Sequence, residues 1–194
     1  MDEFVALVSE MLIHIGVPPE SIFVSSGLEL PGWFRAEKKW DLVVVHSGEL
    51  LACAEFKSHV GPSFGNNFNN RTEEALGSAT DLWAAYREGS FKPAARPWVG
   101  YLMLLEDSEG SSNPVSVKEP HFKVFPEYRG ASYRQRYEHL ILKLVRDRLY
   151  DSACLLLSQA QTGIKGVYTE PNVELAFDRF LMSLLGQVLS KISR

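Results

Sequence analysis

Only two cysteines, Cys53 and Cys154, occur in the 194 residues, and no apolar run approaches the roughly 18 residues that a membrane span needs. The two thiols fall in a strand-like and a helix-like run, which fits buried cysteines of a reducing cytoplasm better than a disulfide. A secretory leader would open with positive charge. Here Asp2 and Glu3 stand instead, with no small-residue cleavage pattern behind them. Lysine and arginine are missing from the first 34 residues, which carry five acids. Internal repeats and low-complexity tracts are missing as well. These absences exclude a membrane-spanning chain, a disulfide-stapled secreted scaffold and a repeat array.

What is present is ordinary globular composition, 45% apolar and 23% charged, with length for one domain and a sizeable core. A formal net charge of −4 argues against a general nucleic-acid binder, because nonspecific affinity comes from Lys and Arg displacing counterions. The charge is unevenly spread, however. Lys118 to Arg148 holds eight basic side chains against four acidic ones, a pattern open to two readings: a local basic patch or a solvated helix face.

Periodicity outlines the elements. Phe4, Leu7, Val8, Met11, Leu12 and Ile15 mark a helix stopped by Gly16 and Pro18-Pro19. A short strand is expected over 21–25, followed by a Gly/Pro-bearing stretch. WDLVVV (40–45) and LLACAEFK (50–57) read as a hairpin joined by HSGE. Asn70 with Glu73 suggests a capping box for a helix ending before Gly89, and WVGYLMLL (98–105) reads as a strand buried on both faces. Residues 106–130 form a long irregular excursion. Ser132 with Gln135 caps a helix reaching about Tyr150, with shorter and longer helices expected around Cys154 and from Asn172. This order implies an α/β layer arrangement around a mixed sheet.

Chemistry enters with the hairpin. A turn centred on Gly48 sets Asp41 opposite Glu55, Val43 opposite Cys53 and Val45 opposite Leu51, and Lys57 shares the face of Glu55. Facing carboxylates repel, and a divalent cation removes the repulsion. Mg²⁺ prefers oxygen ligands at about 2.0–2.1 Å, so Asp41, Glu55 and the backbone carbonyl of Phe56 could hold it with room for a phosphate oxygen. Lys57 could neutralise charge developing on phosphorus, or act as a base if its pKa fell well below about 10.4. The alternative is a structural charge cluster in which Asp41 pairs with Lys38 or Lys39. The amide run GNNFNN, with Asn66, Asn67 and Asn69, reads either as a tight self-bonded loop before Arg71 or as a surface whose amides match adenine edges and phosphates.

WDLVV around Asp41, the block EFKSHVGPSFGNNFNNRTEEALGSATDLW, the strand tail LLED and PHFKVFPEYRGASYRQRYE together resemble the XhoI-type family of type II restriction endonucleases, within the PD-(D/E)XK nuclease superfamily. The resemblance implies a PD-(D/E)XK core: a central mixed sheet of four to five strands flanked by helices, with a helical C-terminal extension. One nuclease domain over 1–194 would divide into a catalytic core (1–107), a long loop (108–131) and the extension (132–194). It also implies Mg²⁺-dependent cleavage of double-stranded DNA at the palindrome CTCGAG by a cytoplasmic homodimer of bacterial or archaeal origin. Asp41 and Glu55 fall on the metal-binding acids and Lys57 on the catalytic lysine. Asn66, Asn67, Asn69, Arg71, Arg129, Arg134 and Arg136 become the expected DNA contacts. The superfamily often adds a glutamate from the first helix; Glu10 occupies such a position but fits an exposed surface acid better. Members of the family also carry an N-terminal extension ahead of the matched region. A repair or junction-resolving nuclease of the same fold and a noncatalytic DNA-binding protein are the competing readings.

Overall fold

A computed structural model describes residues 1–163 and 165–192. In chain order the elements are α1 (Asp2–His14), β1 (Ile22–Phe23), β2 (Glu29–Pro31), β3 (Glu37–Lys39), β4 (Leu42–His46), β5 (Glu49–His59), α2 (Phe64–Arg87), β6 (Trp98–Glu106), α3 (Glu109–Ser112), α4 (Tyr133–Arg146), β7 (Ser152–Ser158), α5 (Ala160–Gly163) and α6 (Phe177–Ile192). Five strands make one mixed sheet in the order β1-β4-β5-β6-β7, and β2 pairs with β3 in a separate ribbon. β5, β6 and β7 are parallel; β4 is antiparallel to both β1 and β5. A mixed sheet flanked by helices, with a last helix at the C-terminus, is consistent with the expected PD-(D/E)XK-like core.

Parallel neighbours require a crossover, and α2 and α4 supply the two. They cover one face of the sheet with Phe68, Leu82, Tyr137 and Ile141, while α1 and α6 cover the other with Val8, Leu12, Phe180 and Leu184. Strands buried on both sides read as continuous apolar runs. That is why WVGYLMLL and ACLLL lack alternation.

The β4–β5 hairpin sets the site. Ser47 and Gly48 both have positive φ, 51° and 78°, which makes a tight two-residue turn with His46 opposite Glu49 and Val45 opposite Leu50. A bulge then intervenes: Leu51 and Ala52 both pack on the α1/α6 face, and from Val44↔Ala52 outward the register advances by one. Val43 faces Cys53 as expected, whereas Val45 faces Leu50 and not Leu51. Without the extra residue, Asp41 would have come opposite Ala54 and Glu55 would have moved away from it.

Three other expectations are corrected. The amide run is no loop: α2 begins at Phe64, so Asn66, Asn67 and Asn69 lie in its first turns and Asn70 is internal rather than a cap. Asn and Gly are poor helix formers, but Phe64 and Phe68, four apart, dock against Tyr133 and Tyr137, and this packing overrides propensity. The segment around Cys154 is β7, not a helix, so residues 132–194 contribute a strand to the central sheet. The last helix starts at Phe177 rather than Asn172, which instead caps a short 3₁₀ turn. The Ser132–Gln135 capping box is present, and both cysteines are buried and free.

The β2–β3 ribbon arises from the Gly/Pro-bearing stretch and is tied to α2 by one buried carboxylate. Asp81 accepts from the Trp33 and Phe34 amides, each at 2.7 Å, and from Arg35 Nε at 2.6 Å. A Cβ on Gly32 would overlap that carboxylate, so only glycine permits the approach. Burial opposes the charge on Asp81, but Arg35 and the two amides outweigh it and hold its pKa below the usual value. A depressed carboxylate pKa contributes stability that is present above the unfolded value and lost as pH falls through the folded one. Asp81→Ala should lower unfolding free energy by roughly 2–4 kcal/mol at pH 7, since three donors lose their acceptor. In denaturant melts run from pH 7 downward, the gap between wild type and variant should close below about pH 4.

Candidate functional site

Asp41 stands one residue before β4, and its N–H donates to the Ala54 carbonyl at 3.1 Å, which extends the hairpin register. Its Oδ2 accepts from the Phe56 N–H at 2.8 Å and from the Lys57 ammonium at 2.9 Å. Lys57 Nζ also lies 3.0 Å from Glu55 Oε2. The three residues therefore converge on one face of the sheet, at the carboxyl end of β5, where parallel sheets commonly place their ligands.

A fourth residue joins them. Lys38 of β3 brings Nζ to 2.5 Å from Glu55 Oε1, yet in an orientation that forms no hydrogen bond, so this buried oxygen has an ionic neighbour but no donor. The Lys38 ammonium donates instead to the Lys39 carbonyl at 3.0 Å and sits 4.6 Å from the centre of the Trp40 ring. Lys38 thus pairs with Glu55, not with Asp41. Nothing in the local pattern EKK distinguished it from Lys39; the ribbon that presents it is built by the distant Asp81.

Exposure orders the cluster from inside out. The Glu55 side chain is 2% exposed, Lys38 13%, Lys57 20% and Asp41 35%. Two carboxylates face two ammonium groups, a neutral set whose open side is the Asp41–Lys57 edge. Burial pulls the Lys57 pKa down, but Glu55 and Asp41 more than reverse that and raise it above its ordinary 10.5. Lys57 is accordingly a cation at neutral pH.

The donor chemistry fits an oxygen-preferring divalent ion. Asp41 and Glu55 offer carboxylates, and Glu55 Oε1 has an ionic neighbour in Lys38 but no hydrogen bond. N–H and C=O of one strand residue point to the same side, so the Phe56 carbonyl faces the carboxylate to which its N–H donates. No group of three or more His, Cys, Asp or Glu suited to a metal occurs among the described residues, and Glu10 is exposed on α1, apart from the cluster. Beside the site, a cleft of about 340 Å³ runs from Asp41 and Phe56 to Asp2 and Val5 of α1. A cavity of about 830 Å³ between Trp83 and Arg148 contains none of these residues.

Two buried polar groups extend the site along the same face. Tyr101 of β6 lies opposite Glu55, and its hydroxyl has no partner; burial and the neighbouring carboxylate raise its pKa. His59 Nδ1 is 2.7 Å from the Tyr137 hydroxyl while Nε2 is unpartnered, and burial together with Arg71 lowers its pKa against the pull of Glu106. Neither could be found from spacing, because a parallel pairing between β5 and β6 leaves no local mark.

The expected DNA contacts divide. Asn66 and Asn69 lie exposed along one stripe of α2 and Asn67 is half-buried. Arg71 is paired with Glu74 at 2.5 Å, and Arg129 with Glu119 at 3.0 Å. Arg136 donates to the carbonyls of Ala131 and Val115, holding the 113–131 segment against α4. Arg134 is half-buried and makes no ion pair or side-chain hydrogen bond among the described residues.

A raised lysine pKa contributes stability present below the unfolded value and lost as pH rises through the folded one. Lys57→Met should therefore be less stable than wild type by roughly 1–3 kcal/mol at pH 7, discounted for its partial exposure. In melts taken at rising pH, that difference should shrink above pH 10.5.

The chain matches the family model described as Restriction endonuclease XhoI over residues 1–170. It is 52% identical over 196 aligned positions to the type II restriction enzyme BstVI of Geobacillus stearothermophilus, covering 98% of this chain and 88% of the relative. It is 47% identical to the type II restriction enzyme XhoI of Xanthomonas vasicola and 52% identical to the type II restriction enzyme AbrI of Azospirillum brasilense. Those two alignments cover 75% and 63% of this chain, and the chain spans 59% and 56% of the relatives. No solved structure matches. With a match across most of its length and the mixed-sheet core in place, the chain belongs to the XhoI family of restriction endonucleases, whose relatives here are type II restriction enzymes.

Proposed function

We propose that this restriction endonuclease hydrolyses phosphodiester bonds of double-stranded DNA with Mg²⁺, at the palindrome CTCGAG, as a homodimer whose two-fold axis matches that of the site. The convergence of Asp41, Glu55 and Lys57 on one face carries the reading. Asp41, Glu55 and the Phe56 carbonyl would hold the ion, which supplies Lewis acidity at the phosphodiester and makes water a better nucleophile. Lys57, protonated and at the open edge, lowers the cost of charge developing on the phosphorus oxygens. The buried Glu55 fixes the position of its neighbours, because a carboxylate held by a strand on a packed sheet has few alternative rotamers.

The exposed amides of α2 follow the acid-bearing strand by only a short connection, and their paired donor and acceptor suit an adenine edge in the major groove. Arg134 is the basic side chain on α4 with donors uncommitted among the described residues, which suits a phosphate. Specificity for CTCGAG rests on the relationship to the XhoI restriction enzyme, and action in the cytoplasm of a bacterial or archaeal cell follows from the same kinship.

Plasmid carrying one CTCGAG site should be converted by the full chain and Mg²⁺ to a single linear product, and a plasmid lacking the site should survive. Glu55→Ala should reduce cleavage by about three orders of magnitude while leaving duplex binding intact or tighter, since a negative charge near phosphate is removed. Uncut DNA across a range of enzyme and Mg²⁺ contradicts the proposal. Arg134→Ala should weaken binding to every duplex alike and reduce the salt slope by about one, measured by fluorescence anisotropy at several salt concentrations.

A further inference from the structure

We infer that Lys38 is a resident counter-ion of the metal site: its ammonium pairs with Glu55 Oε1, competes with a divalent cation for that oxygen and, once displaced, is free to contact the phosphodiester. The inference rests on the proposal that Asp41 and Glu55 hold a metal.

Glu55 is the deepest acid of the cluster, and Lys38 Nζ stands 2.5 Å from the oxygen that has no hydrogen bond. An ammonium at that distance is an electrostatic stand-in, filling the position a cation would take. Lys57 already serves the second oxygen, Oε2, and bridges to Asp41, so Glu55 is neutralised twice over. The pairing is costly for metal entry, because a divalent ion at Oε1 would meet the Lys38 charge at close range.

Lys38 is also mounted so that it can leave. Besides Glu55, its ammonium lies over the Trp40 ring, 4.6 Å from the centroid, and donates to the neighbouring Lys39 carbonyl at 3.0 Å, two contacts that keep it beside the site once Glu55 is given up. The ribbon carrying it is tied to α2 at its far end by Asp81, while at its near end β3 runs through Trp40 into Asp41, so any movement away from Glu55 falls to the side chain rather than to the backbone. Charge balance gives the displacement its use. Before loading, two carboxylates offset two ammonium groups; after it, the same set carries an excess of two positive charges, and the freed lysine faces an incoming phosphate. Productive attraction for the backbone then arises only in the loaded site.

Calorimetric titration of the full chain with Ca²⁺ alone tests the competition, and duplex binding with Ca²⁺ or with chelator tests the release. Lys38→Met keeps an unbranched apolar side chain without the charge and should bind Ca²⁺ about tenfold more tightly than wild type, since one competing charge at contact distance is gone. In the same variant, Ca²⁺ should raise affinity for a CTCGAG duplex less than it does in wild type. Equal or weaker Ca²⁺ binding by Lys38→Met, with Glu55→Ala losing the ion, overturns the role of Lys38 and leaves the metal proposal standing. Equal Ca²⁺ binding by wild type and Glu55→Ala, or none by either, overturns both. Lys38→Gln, which is polar and uncharged, should repeat the tightening, and matched thermal midpoints for the two variants separate loss of charge from loss of fold.

Discussion

The position of one extra residue in β5 governs the chemistry of this fold. A two-residue turn at Ser47–Gly48 alone would pair the strands so that Asp41 met an alanine; the bulge at Leu51 advances the register and brings it opposite Glu55. Side-chain direction alternates along a strand, so a shift of one residue moves every group to the other face. Both the ionic cluster and the burial of Glu55 depend on that shift, and the bulge is sealed by apolar packing: Leu51 and Ala52 are both held in the α1/α6 core. Local backbone irregularity next to a functional site is a common use of bulges.

From this register follows a division of labour between the two faces. On one side α1 and α6 make an apolar layer, which anchors Phe56 and fixes the backbone that carries its neighbours. On the other, α2 and α4 bury a polar line running from Glu55 through Tyr101 towards Tyr137 and His59. Buried polar atoms are normally satisfied, and the unpaired ones cluster here. The neighbouring ammonium groups of Lys38 and Lys57 offset the charge of the buried Glu55 carboxylate.

Much of this was legible in the sequence, for definite physical reasons. The hairpin, the face shared by Asp41, Glu55 and Lys57, and the Ser132–Gln135 capping box all depend on residues near one another in the chain, where strand alternation and capping rules act directly. What escaped depends on distant packing. Helix α2 starts six residues before its expected cap because Phe64 and Phe68 find aromatic partners on α4, which outweighs the weak propensity of four asparagines. The run around Cys154 is too short and too uniformly apolar for its period to separate strand from helix, and only its pairing with β6 decides. Lys38 is indistinguishable from Lys39 until the ribbon is clamped by Asp81. The resemblance to the restriction-enzyme family supplied the meaning of the acid–lysine set, while the geometry supplied its cationic state and its fourth member.

The most direct test is anomalous diffraction from crystals of the full chain equilibrated with Mn²⁺. The account predicts one strong peak about 2.1 Å from a carboxylate oxygen of Asp41 and from Glu55 Oε1, with the Lys38 ammonium withdrawn from Glu55. An Mn²⁺ peak elsewhere, or an undisturbed Lys38–Glu55 pair at saturating metal, would contradict it.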